Sequence, residues 1–170
     1  MSRGAKAKVK LIRQILAEHS EPHSCGAMFR DMIAATLIRM PADALEEIAQ
    51  VDFVFFAPFG VFGAAFPVAQ LRLPKSRAGF VVYLAIDILR QPSIEEALFY
   101  VAHELAHVLL RHGIDDATFT DRAGAVRYAE ANEQAADELA QSWGFTVPLH
   151  RQDENRGDKL YGGSVIEYSE

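Results

Sequence analysis

The chain has 170 residues, 50% of them hydrophobic and 24% charged, which is enough apolar material for one folded core and too little charge for a disordered chain. With 17 Lys and Arg against 23 Asp and Glu, the net charge of -6 gives no overall attraction to nucleic acid or to an anionic membrane surface. Cys25 is the only cysteine, so no intramolecular disulfide can form, and a reducing cytoplasm suits the composition.

Arg3, Lys6, Lys8, Lys10 and Arg13 make the start of the chain basic, but Arg13 and Gln14 interrupt the apolar run that an export signal needs. Val9, Ile12 and Leu16 instead fall on one face of a surface helix over Val9–Glu18. After a break at His19–Gly26, where His19 and His23 read as surface residues, Phe29, Met32, Ile33, Thr36, Leu37 and Met40 repeat at helical intervals until Pro41. Ala42–Gln50 predicts a short third helix, its early turns loaded with Asp43, Glu46 and Glu47.

Val51–Ala57 turns β-branched and aromatic, the pattern of a buried strand. Six phenylalanines (Phe53, Phe55, Phe56, Phe59, Phe62 and Phe66) crowd among Pro58, Gly60, Gly63 and Pro67, and these breakers argue against a membrane span. The segment reads as a core strand and buried loop, with an apolar groove wall as the functional alternative. Val68–Leu73 and Phe80–Ile86 flank a polar loop at 74–79 and predict a hairpin, hence a small, mainly antiparallel sheet. Ser93 with Glu96 forms a capping box that opens a helix expected to run to His112, with Gly113 as its left-handed stop. A second long helix is expected over Ala125–Ser142, ending near Gly144. Residues 1–150 therefore read as one α+β domain, and 151–170 as a polar tail with at most Val165–Tyr168 docked.

The chemistry is concentrated in His103-Glu104-Leu105-Ala106-His107. Positions i and i+4 share one helical face, so both imidazoles can reach a single Zn²⁺, while Glu104 beside them is placed to take a proton from a zinc-bound water. Such a pentad arises by chance in roughly one or two chains in a hundred, so its setting matters. Ala97, Leu98, Val101, Leu105, Val108 and Leu109 make this helix a buried one, where two imidazoles want a partner. Downstream, Asn132-Glu133-Gln134-Ala135-Ala136-Asp137 supplies an acid on the next helix.

H-E-x-x-H followed by N-E-x-x-x-D resembles the gluzincin metallopeptidases, and the compact E-x-x-A-D-x-L-A pattern (Glu133, Ala136, Asp137, Leu139, Ala140) is similar to the ImmA/IrrE-like minimal zincins. The resemblance covers residues 80 to 145. It implies His103, His107 and Glu133 as zinc ligands, Glu104 as general base and Asp137 as an outer partner of a liganding histidine. Asp137 also lies one turn from Glu133 on the same face, and metal-bound histidines usually donate their other ring N–H to a carboxylate. Ala136 leaves room for the two helices to close around an ion. Glu130 and His150 remain as competing third ligands. The metzincin extension is excluded, because it needs Gly at position 110 and His at 113, where this chain has Leu110 and Gly113. His112, five positions after His107 and about 140° round a helix, should point elsewhere.

The expected function is thus a zinc-dependent metallopeptidase with a specific intracellular protein substrate, for which the resemblance suggests a transcriptional repressor. A peptide would lie extended beside Phe80–Leu84, with Phe53–Phe66 as an apolar wall. Tyr128, His112, Arg127 and His150 are candidate donors to the oxyanion, undistinguished by spacing. The rival expectation is a non-catalytic, zinc-stabilised regulatory or scaffold protein that binds its partner through the Phe-rich segment. No helix-turn-helix pattern supports direct DNA recognition, and the sequence leaves the oligomeric state open.

Overall fold

A computed structural model of the chain describes residues 3–19, 27–51, 53–56, 63–67, 79–84, 93–113 and 118–154. Three helices come first: α1 (Arg3–His19), α2 (Ala27–Arg39) and α3 (Ala42–Ile48). Their apolar stripes, including Ile12 and Ile15 of α1, Met32, Ile33 and Leu37 of α2, and Leu45 and Ile48 of α3, enter one core. α1 begins at Arg3 rather than Val9 and carries on to His19, which the sequence places outside any helix. Lys8 Nζ donates to the Met40 carbonyl at 2.7 Å, tying α1 to the chain just past α2.

β1 (Phe53–Phe56), β2 (Gly63–Pro67) and β3 (Phe80–Leu84) form a small sheet in the order β1-β3-β2. β1 runs parallel to β3, with Phe53 opposite Phe80, and β2 runs antiparallel to it, with Gly63 opposite Leu84. The fold is dominated by helices, and its sheet is mixed rather than mainly antiparallel. β2 occupies part of the stretch that reads as a buried loop. Gly63-Ala64-Ala65 has no alternating apolar signal, so only pairing with β3 defines it as a strand. The strand expected at Val68–Leu73, most of the loop after it, and Phe59 and Phe62 lie outside the described residues.

Phe53 and Phe55 are both buried and stack edge-to-face with ring centroids 5.2 Å apart, so these two are core. β3 is flanked on both sides, so its hydrogen-bonding edges are used and no peptide can add beside Phe80–Leu84. That expectation is corrected: among the described residues, the edges belong to β1 and β2.

α4 (Ile94–Leu110) crosses the centre of the molecule. Ser93, extended at φ -141, accepts from Glu96 N–H at 3.2 Å and starts the helix as the capping box predicts. Ala97–Phe99 and Val101–Val108 are all buried, against α2, α3 and the sheet on some sides and α5 (Arg122–Ser142) on another. α5 is capped by Asp121, which accepts from Gly124 N–H at 2.6 Å. It ends in a Schellman turn: Gly144 takes φ 90, Phe145 N–H donates to Ala140 O at 3.3 Å, and Gly144 N–H donates to Gln141 O at 2.9 Å. Trp143, Phe145 and Val147 then return to the core before α6 (Leu149–Glu154). Residues 151–154 thus close a helix instead of opening a polar tail, while 155–170, with Val165–Tyr168, lie outside the described residues. No helix among the described residues is long and apolar enough to cross a membrane.

α4 stops at Leu110, two residues before the expected end, because Arg111 adopts the left-handed conformation (φ 56, ψ 34). Gly113 also has positive φ, at 79, but it is Arg111 that turns the chain out of the helix. A non-glycine residue there costs about 1–2 kcal/mol. Arg111→Gly should therefore raise the unfolding free energy of the metal-free protein by about 1 kcal/mol in urea titration. A loss of stability would show that the arginine side chain outweighs the backbone strain.

Candidate metal centre

Helical spacing puts His103 and His107 one turn apart on α4, and Glu133 faces them from α5. His103 Nε2 and His107 Nε2 are 3.0 Å apart. Glu133 Oε2 lies 3.2 Å from His103 Nε2, and its Oε1 lies 3.3 Å from His107 Nε2. The three residues could hold a metal ion, each offering a ligand atom within 4.8 Å of the others. The spacing fits a tetrahedral ion: donors about 2.0–2.1 Å from zinc stand about 3.3–3.4 Å from one another. Small residues allow this approach. Ala136 and Ala140, both fully buried, face α4 from α5, and no larger side chain holds the helices apart.

Asp137, one turn beyond Glu133, places Oδ1 2.7 Å from His103 Nδ1, on the ring edge away from the Nε2 that faces Glu133. With Nδ1 turned to Asp137, Nε2 is the His103 nitrogen left facing Glu133 and His107, where a metal ion could bind. Glu130 is exposed and stands outside the group, and His150 is engaged elsewhere, its Nε2 2.7 Å from Tyr100 OH. Glu133 is therefore the third donor that the structure brings to the two histidines.

The structure brings two residues to the site that the sequence places elsewhere. Arg151, assigned to a tail, reaches from α6 with Nη2 3.0 Å from Glu133 Oε2 and 3.1 Å from Asp137 Oδ1. Its guanidinium also lies over the Phe99 ring at 6.0 Å. The available signal was an acid pair at i and i+4 on a buried helix face, which needs a counter-charge from somewhere. His112, expected to point away, has Nδ1 2.7 Å from His107 Nδ1. The helical angle failed because the helix ends before His112. Tyr128 packs against Phe119 at a ring distance of 5.0 Å.

The electrostatics follow from burial against pairing. Burial alone would raise the Glu133 pKa, yet hydrogen bonds from His103 and His107 hold it well below the usual carboxylate range. Asp137 is likewise lowered, with burial outweighed by His103 and Arg151. Those carboxylates in turn raise the Arg151 pKa against the effect of its own burial. For His103, burial favours the neutral ring, but Asp137 and Glu133 overcome it and raise the pKa to about 9. Glu104 differs: it is 5% exposed, its Oε2 has no hydrogen-bond partner among the described residues, and burial pushes its pKa up although His103 and His107 pull it down.

No protein-family model matches the chain, and neither does any curated protein or solved structure. The site's meaning rests on its own geometry.

Two pH dependences follow. In the metal-free protein the His103 pKa of about 9 lies above its ordinary 6.5, so its proton contributes stability that is fully present below about 6.5 and lost as pH rises through about 9. Thermal denaturation in EDTA should give a lower Tm at pH 9.5 than at pH 7, and an unchanged or higher Tm would contradict the pairing. Because a ligand nitrogen must shed that proton, apparent metal affinity should weaken about tenfold per pH unit from 8 to 6, measured with a buffered metal indicator.

Proposed function

We propose that the chain is a zinc-dependent metallopeptidase of zincin type, hydrolysing a peptide bond in a specific intracellular protein, with a transcriptional repressor as the substrate class that the sequence resemblance suggests. One observation carries the reading: three convergent donors lie beside a buried glutamate whose carboxylate has an oxygen without a hydrogen-bond partner among the described residues. Structural zinc sites normally take four protein ligands. Three converge among the described residues, which favours an exchangeable position. His103, His107 and Glu133 would hold the ion; when bound, zinc supplies Lewis acidity, polarising a substrate carbonyl and lowering the pKa of water toward about 7.

The chain's own side chains supply the proton handling. Glu104 follows His103 directly, and burial raises its pKa, so its carboxylate can take a proton from the attacking water and hold it for the leaving amine. Tyr100 stands about one turn before His103 on the same helix, with its hydroxyl 2.7 Å from Nε2 of the exposed His150, and would be a candidate O–H donor to the developing oxyanion. An extended peptide would add to the outer edge of β2, which packs against α4, because β3 has no free edge.

The scaffold reading draws less support. Phe53 and Phe55 are buried in the core, which removes them from any partner-binding surface.

Metal analysis of the purified chain after mild dialysis tests the proposal, with about one zinc per chain expected. A chain that retains no metal, and binds none when zinc is added back, would end it. Glu133→Gln should lower occupancy strongly. Glu104→Gln should keep the metal while reducing cleavage of a proteome-derived peptide library by about 10²–10⁴-fold, with cut sites read by mass spectrometry. The same substitution removes a buried ionisable group and should raise the Tm of the metal-free protein above pH 7.

A further inference from the structure

The helix carrying both histidines leaves its last turn through a hydrogen-bonded arrangement that returns to the metal site. Arg111 N–H donates to Val108 O at 3.2 Å and His112 N–H donates to His107 O at 3.1 Å, the paired bonds of a Schellman turn, with Arg111 as its left-handed residue. In such turns the residue after the left-handed one contacts the residue five positions earlier, usually through apolar groups. Here those residues are His112 and His107. Their rings meet at 68° with centroids 4.9 Å apart, and the two Nδ1 atoms are 2.7 Å apart.

That distance constrains the protons. Two ring nitrogens in a hydrogen bond need one N–H and one lone pair. His107 Nε2 faces His103 Nε2 and Glu133 Oε1, and a nitrogen that binds a metal cannot also carry a hydrogen. A neutral His107 in that role carries its hydrogen on Nδ1 and donates it, so His112 must accept at Nδ1 and bear its own hydrogen on Nε2. We propose that His112 is a positioning residue of the metal site: by accepting from His107 Nδ1–H it holds the ring in the tautomer and orientation that turn Nε2 toward the ion, as Asp137 does for His103. The inference rests on the metal-site reading above and deepens it.

The choice of an imidazole has a physical basis. Glu104, Glu133 and Asp137 already share this space with the guanidinium of Arg151, and a fourth carboxylate behind His107 would add repulsion. A neutral acceptor orients the ring without adding charge. The strained Arg111 backbone is what delivers it, since a helix continued to residue 112 would carry this side chain to another face.

The test compares the zinc affinity of the full chain with His112→Phe and His112→Asn, by competition against a chromophoric chelator, with circular dichroism to show that each is folded. His112→Phe, which keeps a ring but loses the acceptor, should weaken zinc binding about 10–100-fold. His112→Asn, whose amide oxygen can replace Nδ1 as acceptor, should stay within about threefold of the parent. Parental affinity in His112→Phe, or an equal loss in both variants, would overturn the inference. Ring-nitrogen NMR of the unsubstituted, zinc-loaded chain decides it without any variant: His107 Nδ1 should be protonated and His112 Nδ1 bare, and the reverse would refute it. A parent chain that binds no zinc would overturn the metal-site reading and this inference together.

Discussion

The close approach of α4 and α5 is the constraint from which the site follows. Two alanines on α5, Ala136 and Ala140, are fully buried, and that contact lets His103 and Asp137 stand 2.7 Å apart across the helix interface. Both side chains are almost wholly removed from water, at 3% and 5% exposed. Neither could be buried alone, because an isolated ion or an unsatisfied polar atom in a protein interior costs several kcal/mol. Paired, and joined by Glu133 and Arg151, they form a network in which each charge offsets the desolvation of its neighbour.

Within that network, Glu104 departs from the rule that buried ionisable groups are satisfied. The other acids, Glu133 and Asp137, are held ionised by partners at 2.7–3.3 Å, and their pKa values fall. Glu104 has an oxygen with no hydrogen-bond partner among the described residues, and its pKa rises. Acids of opposite tendency thus stand side by side, Glu133 and Asp137 favouring the charged form and Glu104 the neutral one. Burying Glu104 in this way also lowers stability locally.

The two histidines of the candidate metal centre are contacted from different directions. His103 leans on Asp137, which lies 34 residues later in the chain on another helix, so its support depends on tertiary packing. His107 is supported by His112, from the turn that ends its own helix. α6 adds a third connection, since Arg151 joins both α5 carboxylates. The faces of α4 and α5 that carry the three candidate donors are therefore held by contacts from both sides.

What could be read from the sequence was whatever depends on local spacing. The H-E-x-x-H pentad fixes two imidazoles on one helical face, the Ser93–Glu96 box fixes where that helix starts, and Glu133 with Asp137 at i and i+4 fixes two carboxylates on one face of the next. These hold because helix geometry and capping act over four residues or fewer. What only the tertiary structure decided has no local signature. β2 is a strand because β3 pairs with it, since Gly63-Ala64-Ala65 carries no pattern of its own. β3 is central because β1 runs parallel to it across a connection that no periodicity encodes. Arg151 belongs to the site because two distant acids need a cation, and His112 turns back because Arg111 accepts a strained backbone in place of one more helical turn. Pairing, counter-charge and strain are energies shared between segments far apart in the chain, so they can be read only once the fold has brought those segments together.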